Sequence, residues 1–332
     1  MGPIRTALVA ASIVALTADA TTALEPKTLT VDDWNQVRPL YALVEQVAAG
    51  QRTPSDVALP WQYHFLNAEA GNVFVPFTIG IQAAAFTSYP LGMYLRVVNR
   101  GAPAPAPGPR DALAQYPFED ASVFDRPEDG RISRAFAVPP GDYDVYVALT
   151  ERTTPERATP VTLVIKHELT VPDLKSNLAV SSIFVLDRSE IDSRNRRLNF
   201  EEQLDEPYVW WGTKLTPSFR TSFGRRDKLS LTFVVYNAAS AVDDKPDVEI
   251  QYAFYRKEDS AETFFVRTRP QHFSADTLRR EFSLSSGDLV LAGQEMPLAS
   301  FPDGHYRLAI TVTDKVSQKS ITRDVVFDVA GS

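Results

Sequence analysis

The chain reads as all-β: two tandem immunoglobulin-like β-sandwiches, preceded by a signal peptide and a short N-terminal helix. Three observations predict this. From Trp61 onward, apolar residues alternate with polar ones in short runs rich in Val, Ile, Phe, Tyr and Thr, and period two marks a half-buried strand. Pro, Gly and Asp punctuate those runs, as turns require. Finally, FPDGHYRLAITVTDK, beginning at Phe301, has a near-copy in VPPGDYDVYVALTER, beginning at Val138.

Residues 1–20 carry Arg5, then an apolar stretch over 6–17, then Ala18-Asp19-Ala20. That is the charged, apolar and small-x-small order of a secretory signal. The apolar stretch is too short for a membrane span, which needs about 20 residues. Cleavage after Ala20 is expected, with no span left afterwards. The 332 residues include no cysteine, so neither a disulfide nor a lipidated N-terminal cysteine is available. The expected location is exported: periplasmic, cell-surface or secreted in a bacterium. A formal charge of -8 excludes duplex nucleic acid and anionic lipid as partners, since both need a basic patch.

Residues 21–60 form an N-terminal helical segment. Trp34, Val37, Tyr41, Val44 and Ala48 recur at intervals of three and four, which is a helical stripe. Asp32 or Asp33 is placed to cap its start and Gly50 to end it, with the start or a kink at Pro39. The stripe could receive a partner or lie on its own domain, and amphipathic helices ordinarily bury it at home.

The first sandwich is assigned to residues 61–172, with strands over 73–81, 93–99, 131–137, 142–150 and 160–169. The second covers 173–332, with strands over 178–186, 228–237, 247–256, 262–268, 277–284, 305–313 and 320–329. About seven strands in about 100 residues is the scale of one such sandwich. Pro172 denies the boundary segment a ladder donor. The Pro-rich stretch over 102–109 is an extended loop.

The copied motif reads as architecture. Tyr143, Val145, Val147 and Leu149 match Tyr306, Leu308, Ile310 and Val312, and alternate residues of a strand share a face. Each set is one buried face. Gly141 and Gly304 suit a turn with positive φ, and the tyrosines stand where a tyrosine corner bonds nearby backbone. Catalysis by these tyrosines would need a neighbouring base, but Asp142 and His305 share the slot without sharing chemistry.

The run FGRRDKLSLTFVVYN from Phe223, with the C-terminal FPDGHYRLAITVTDKVSQKSITRDVVFDV, resembles exported bacterial proteins of the acidobacterial type with tandem immunoglobulin-like domains. It is similar to the β-sandwich tails of von Willebrand-factor-A-related and GWxTD-containing exported proteins. The likeness covers 178–329 well and 73–169 more loosely. Neither the metal-adhesion motif of the former nor a GWxTD sequence occurs here. The resemblance implies fold and export; it brings no activity and no site residues.

Signatures of catalysis are missing: no G-x-S-x-G, G-x-G-x-x-G, P-loop or H-E-x-x-H occurs, so no enzyme activity and no cofactor are expected. The histidines, at 64, 167, 272 and 305, read as surface or strand residues. Asp243, Asp244 and Asp247 offer a calcium candidate, though Asp and Pro equally make a turn there and Lys245 opposes a cation. The acid-aromatic run over 201–211 contains Glu201, Glu202, Asp205, Glu206, Tyr208, Trp210 and Trp211. One of its adjacent Trp rings is expected outside, making Tyr208, Trp210 and Trp211 the candidate contact residues. The function expected is a non-catalytic binding or assembly protein of the bacterial envelope, with a protein partner. The alternative is a carbohydrate-binding or glycoside-processing protein, in which paired carboxylates and rings serve a glycan.

Overall fold

The computed structural model describes residues 29–51, 59–81, 86, 88–102, 116–153, 159–194, 196–210, 212–258 and 261–331. The predicted signal peptide, all but the first residue of the Pro-rich loop, and Trp211 lie outside them. No helix of the described residues is long and apolar enough to cross a membrane.

Helix α1 (Val31–Ala48) opens at Thr30, whose hydroxyl accepts from the Asp33 amide while the Asp33 carboxylate accepts from Thr30. This reciprocal box supersedes the predicted Asp32 or Asp33 cap. Pro39 lies inside the continuous helix. Val37, Leu40 and Val44 are buried, and Tyr41 and Val47 pack beside them. Trp34 is 47% exposed, so the buried stripe is turned slightly from the predicted one.

The first sandwich comprises β1 (Trp61–Tyr63), β2 (Leu66–Asn67), β3 (Val73–Gly80), β4 (Leu91–Asn99), β5 (Phe118–Phe124), β6 (Arg131–Val138), β7 (Gly141–Glu151) and β8 (Thr162–Val171). One sheet sets β3 between β6 and the short β1 and β2, and the other runs β5-β4-β7-β8. Their facing sides, including Phe77, Phe136, Leu95 and Val147, make the core.

The second sandwich comprises β9 (Ala179–Val180), β10 (Phe184–Ile191), β11 (Val209–Trp210), β12 (Thr213–Pro217), β13 (Ser222–Gly224), β14 (Lys228–Tyr236), β15 (Val248–Glu258), β16 (Ala261–Arg267), β17 (Gln271–Phe273), β18 (Val290–Pro297), β19 (Gly304–Asp314) and β20 (Lys319–Ala330). One sheet runs β11-β12-β10-β14-β18, with β9 also on β14. The other runs β13-β20-β19-β15-β16, with β17 also on β15. Phe233, Tyr252, Phe254, Tyr306 and Phe327 fill the space between. A short α-helix, α2 (Phe200–Asp205), interrupts this β architecture.

The repeated motif is structural in both copies. The Tyr143 hydroxyl donates to the Pro139 carbonyl at 2.9 Å and that of Tyr306 to Pro302 at 2.7 Å. Gly141 and Gly304 share φ values of +155° and +154°, a conformation side chains avoid. A Cβ at Gly304 would stand 3.0 Å from Arg256 Nε.

The strand predicted over 277–284 does not form. Residues 277–284 are turns, because the Asp288 carboxylate gathers the chain, accepting Arg279 at 2.8 and 2.9 Å and the Ser283 amide at 3.0 Å. The strand lies next to it at β18, where Val290, Ala292 and Met296 point inward but a buried Gln294 breaks the apolar alternation. The outer faces of β7 and β19 also part company. On β7, Tyr146 and Ala148 are buried beneath α1. On β19, Arg307, Thr311 and Thr313 have no such cover.

Candidate functional site

The acid-aromatic run begins locally as a capped helix. Asn199 accepts from the Glu202 amide at 2.9 Å and Glu202 accepts from the Asn199 amide at 3.0 Å, which starts α2. The helix lies on β6 of the first sandwich, with Arg134 of β6 bonded to the Asp205 carboxylate at 3.1 Å and to its carbonyl at 3.0 Å. Phe74 and Phe200 meet edge to face at 6.4 Å.

The chain then turns inward. Tyr208 is 5% exposed and Trp210 6%, which corrects the expectation of a contact surface at these residues. The Trp210 indole N–H donates to the Pro207 carbonyl at 2.8 Å, and its ring meets Phe184 edge-on at 4.6 Å. Both rings belong to one apolar cluster with the first sandwich's core. A ring satisfied this way has neither face nor donor left for a ligand. Trp211, on which an exposed platform would depend, is outside the described residues.

At the centre of this joint is His64, 3% exposed. Its ring stacks on Phe184 at 4.1 Å, and its Nδ1 is 3.4 Å from the Tyr208 hydroxyl. Burial without a carboxylate holds the imidazole far below its ordinary value, at about 3, because the charged form would lose its hydration. His64 is therefore neither a surface nor a strand residue. No sequence signal marks it, since a single histidine between short strands looks the same exposed or buried.

Further contacts join the sandwiches around it. The Phe65 amide donates to Ser182 Oγ at 2.8 Å, and the Ser182 amide returns a bond to the Phe65 carbonyl at 3.0 Å. The Asn67 amide donates to the Tyr236 hydroxyl at 3.1 Å, and Arg131 reaches the Pro217 carbonyl at 2.6 Å. Residues 199–210 thus work as a clamp between the domains.

Three of the run's four carboxylates, those of Glu202, Asp205 and Glu206, are bound to arginine. Glu202 takes a two-point bond from Arg196 at 2.7 Å on each oxygen, and Glu206 takes one from Arg194 at 2.5 and 2.8 Å. Hydrogen bonding from Arg196 holds the Glu202 carboxyl below its usual range. A glycosidase acid needs the opposite, a carboxyl raised toward neutrality.

The calcium candidate resolves differently. Asp243 and Asp244 lie in a tight turn at φ of +57° and +54°. The Asp244 carboxylate accepts from the Ser285 hydroxyl at 2.6 Å, the Ser283 hydroxyl at 2.7 Å, the Ser285 amide at 2.9 Å and Ser240 at 3.1 Å. Those bonds hold its pKa well below the ordinary carboxylate value. Among the described residues no three His, Cys, Asp or Glu side chains converge on a cation position. Asp243, Asp244 and Asp247 therefore do not form a ligand set; Asp244 latches the 283–286 turn.

Two concavities among the described residues bear on binding. One, of about 620 Å³, lies between α1 and β7, where Gln36 and Asp33 already bind Arg152. The other, of about 390 Å³, opens beside the joint between Tyr63, Ser182 and Arg323.

What the geometry defines is a pair of β-sandwiches locked through a shared core. No family model matches the chain, and no curated protein matches it. Among solved structures it is similar to a mutant alpha-2-macroglobulin from Salmonella, at 12% identity and a TM-score of 0.22, over 84% of this chain and 17% of that one. The chain spans a small part of that protein, and so distant a likeness carries no argument about function.

Proposed function

We propose that the protein is an exported, non-catalytic binding or assembly protein of the bacterial envelope, acting on a protein partner through its second sandwich. The observation that carries this reading is the unequal treatment of two matching sheets. The outer face of β7 is covered by α1, whereas among the described residues no helix covers the outer side of β19, β20 and β15, and Val326 (55% exposed) and Phe264 (53% exposed) stand on that sheet. Open sheet surface with exposed apolar side chains is a common form of protein-contact surface. The titratable groups that are buried support the same reading, since His64 and Tyr208 serve packing.

Export rests on the residue pattern of 1–20, and kinship with the acidobacterial-type tandem-sandwich proteins rests on the sequence resemblance; both belong to the proposal. The test is affinity capture from an envelope extract with residues 21–332 immobilised. Saturable enrichment of one protein, reduced by Phe264→Asp with Val326→Asp, supports the reading. Retention of glycan with no protein enriched would overturn it in favour of the carbohydrate alternative.

A further inference from the structure

We propose that β20 takes an extended acidic peptide segment of the partner as an added strand along its free edge. This rests on the protein-binding reading above and names the mode of contact. β20 pairs with β19 over its full length, from Lys319 opposite Asp314 to Val329 opposite Gly304. On its other side β13 covers only Asp328, Val329 and Ala330. Residues 319–327 therefore present an unpaired edge beside the 390 Å³ crevice, which Arg323, Asp324 and Val325 line.

The direction of the backbone groups follows from one bond. The Asp328 amide donates away from β19, to the Thr221 carbonyl at 2.7 Å. The β19–β20 register has no shift, so Ser320, Thr322, Asp324 and Val326 aim their N–H and C=O groups the same way. Among the described residues no backbone group meets them there. Those outward groups run from Ser320 to Val326, so the edge accepts a strand of about seven residues.

Charge selects the occupant. Lys319 and Arg323 lie two positions either side of Ile321, on the side of β20 that Ile321 and Val325 turn to the core. Among the described residues neither cation meets a carboxylate: Lys319 reaches only the Asn177 side-chain oxygen at 3.4 Å, and Arg323 only the Thr322 carbonyl at 3.3 Å. The neighbouring acid is itself paired, since Asp324 takes Arg307 at 2.8 Å, a cation that Glu262 shares. In a chain of net charge -8, two unmatched cations along one open edge select an anionic strand. The matching edge in the first sandwich differs. On β8, Lys166 pairs with Asp144 at 2.9 Å and Glu168 with Arg100 at 3.1 Å, while Trp61 stacks on His167.

The occupant that fits places carboxylates at alternate positions, facing Lys319 and Arg323, while its backbone completes the ladder. The probe is a synthetic heptapeptide of alternating Glu and Val with blocked ends, and its Lys-Val counterpart is the control. The expected result is saturable binding of the acidic peptide only, with amide exchange at Ser320, Thr322, Asp324 and Val326 slowed by about tenfold or more. Lys319→Glu with Arg323→Glu should weaken binding by about tenfold or more. Thr322→Pro, which removes an edge donor and leaves the β19 ladder intact, should abolish it. Should Thr322→Pro fail to fold, the exposed charge-reversal pair decides alone.

Unchanged exchange at the four amides, or equal binding of the Lys-Val peptide, would overturn the proposal; the two cations then only guard the edge against pairing. Capture from the envelope extract separates the two readings. If the charge-reversal variant still enriches the same partner and the peptide fails, the edge falls and the binding function stands. If nothing is enriched but the peptide binds and protects the edge, the envelope-partner reading is the one that falls.

Discussion

Replacing His64 with Phe should remove a pH dependence from the stability of this protein. The His64 imidazole is at about 3 in the folded chain against 6.5 when solvated. Below 6.5 the unfolded chain takes up a proton that the folded chain refuses until near 3. Stability is therefore lost as pH falls through that window, at about 1.4 kcal/mol per unit at full slope. Integrated from pH 7 to 4.5, the loss is about 2.5 kcal/mol, and it reaches about 4 kcal/mol by pH 3. Phe keeps the stack on Phe184 and forgoes the 3.4 Å contact with Tyr208, so at pH 7 the variant should differ by only about 1 kcal/mol. Urea unfolding at matched pH values for both proteins gives the difference curve. The gap should close or invert in the variant's favour as pH falls toward 4.5. Parallel pH dependences would refute the reasoning, as would a His64 ring resonance that titrates near 6.5 in the folded protein.

Three further outcomes follow from the same contacts. Tyr306→Phe loses the 2.7 Å bond to Pro302 while its ring stays packed, and it should cost about 1 kcal/mol in denaturant unfolding, independent of pH between 5 and 8. Arg96→Met strips the guanidinium that holds Glu45 of α1 at 2.7 Å and Glu119 of β5 at 3.1 Å. Because both carboxylates are partly exposed, the expected cost is about 2 kcal/mol, below that of a fully buried pair, and limited proteolysis should cut within residues 29–51 first. Asp244→Ala should speed amide exchange at Ser285 and Ser286 without changing that at Tyr252 in the core. The depressed pKa of Asp244 means its contribution is present above the unfolded carboxylate value near 3.8 and is lost as pH falls below it.

Where burial follows chain-local alternation, the sequence was a good guide. β7 and β19 turn Tyr143 and Tyr306 inward with the residues expected beside them, because a strand's geometry puts every second side chain on one side. Short strands escaped notice for the same reason. β2, β11 and β13 span two or three residues, too few for a period to register. Trp34 misled because a stripe drawn from spacing fixes a helical face only to within a residue.

The candidate site was legible as a cluster and illegible as a role. Tyr208 and Trp210 in a run of acids fit a solvent platform or a buried clamp equally well. The choice depends on whether Phe184, His64 and β6 stand opposite, and those groups come from distant parts of the chain. Sequence alone determined the all-β class, the duplication of the sandwich and the tyrosine corners, since each is encoded within one strand and its turn. Only the tertiary structure decided that α1 covers one of two matching faces, that residues 199–210 join the domains, and that among the described residues Lys319 and Arg323 meet no carboxylate. The physical reason is that packing and ion pairing depend on which surfaces meet, and strand periodicity carries no information about that.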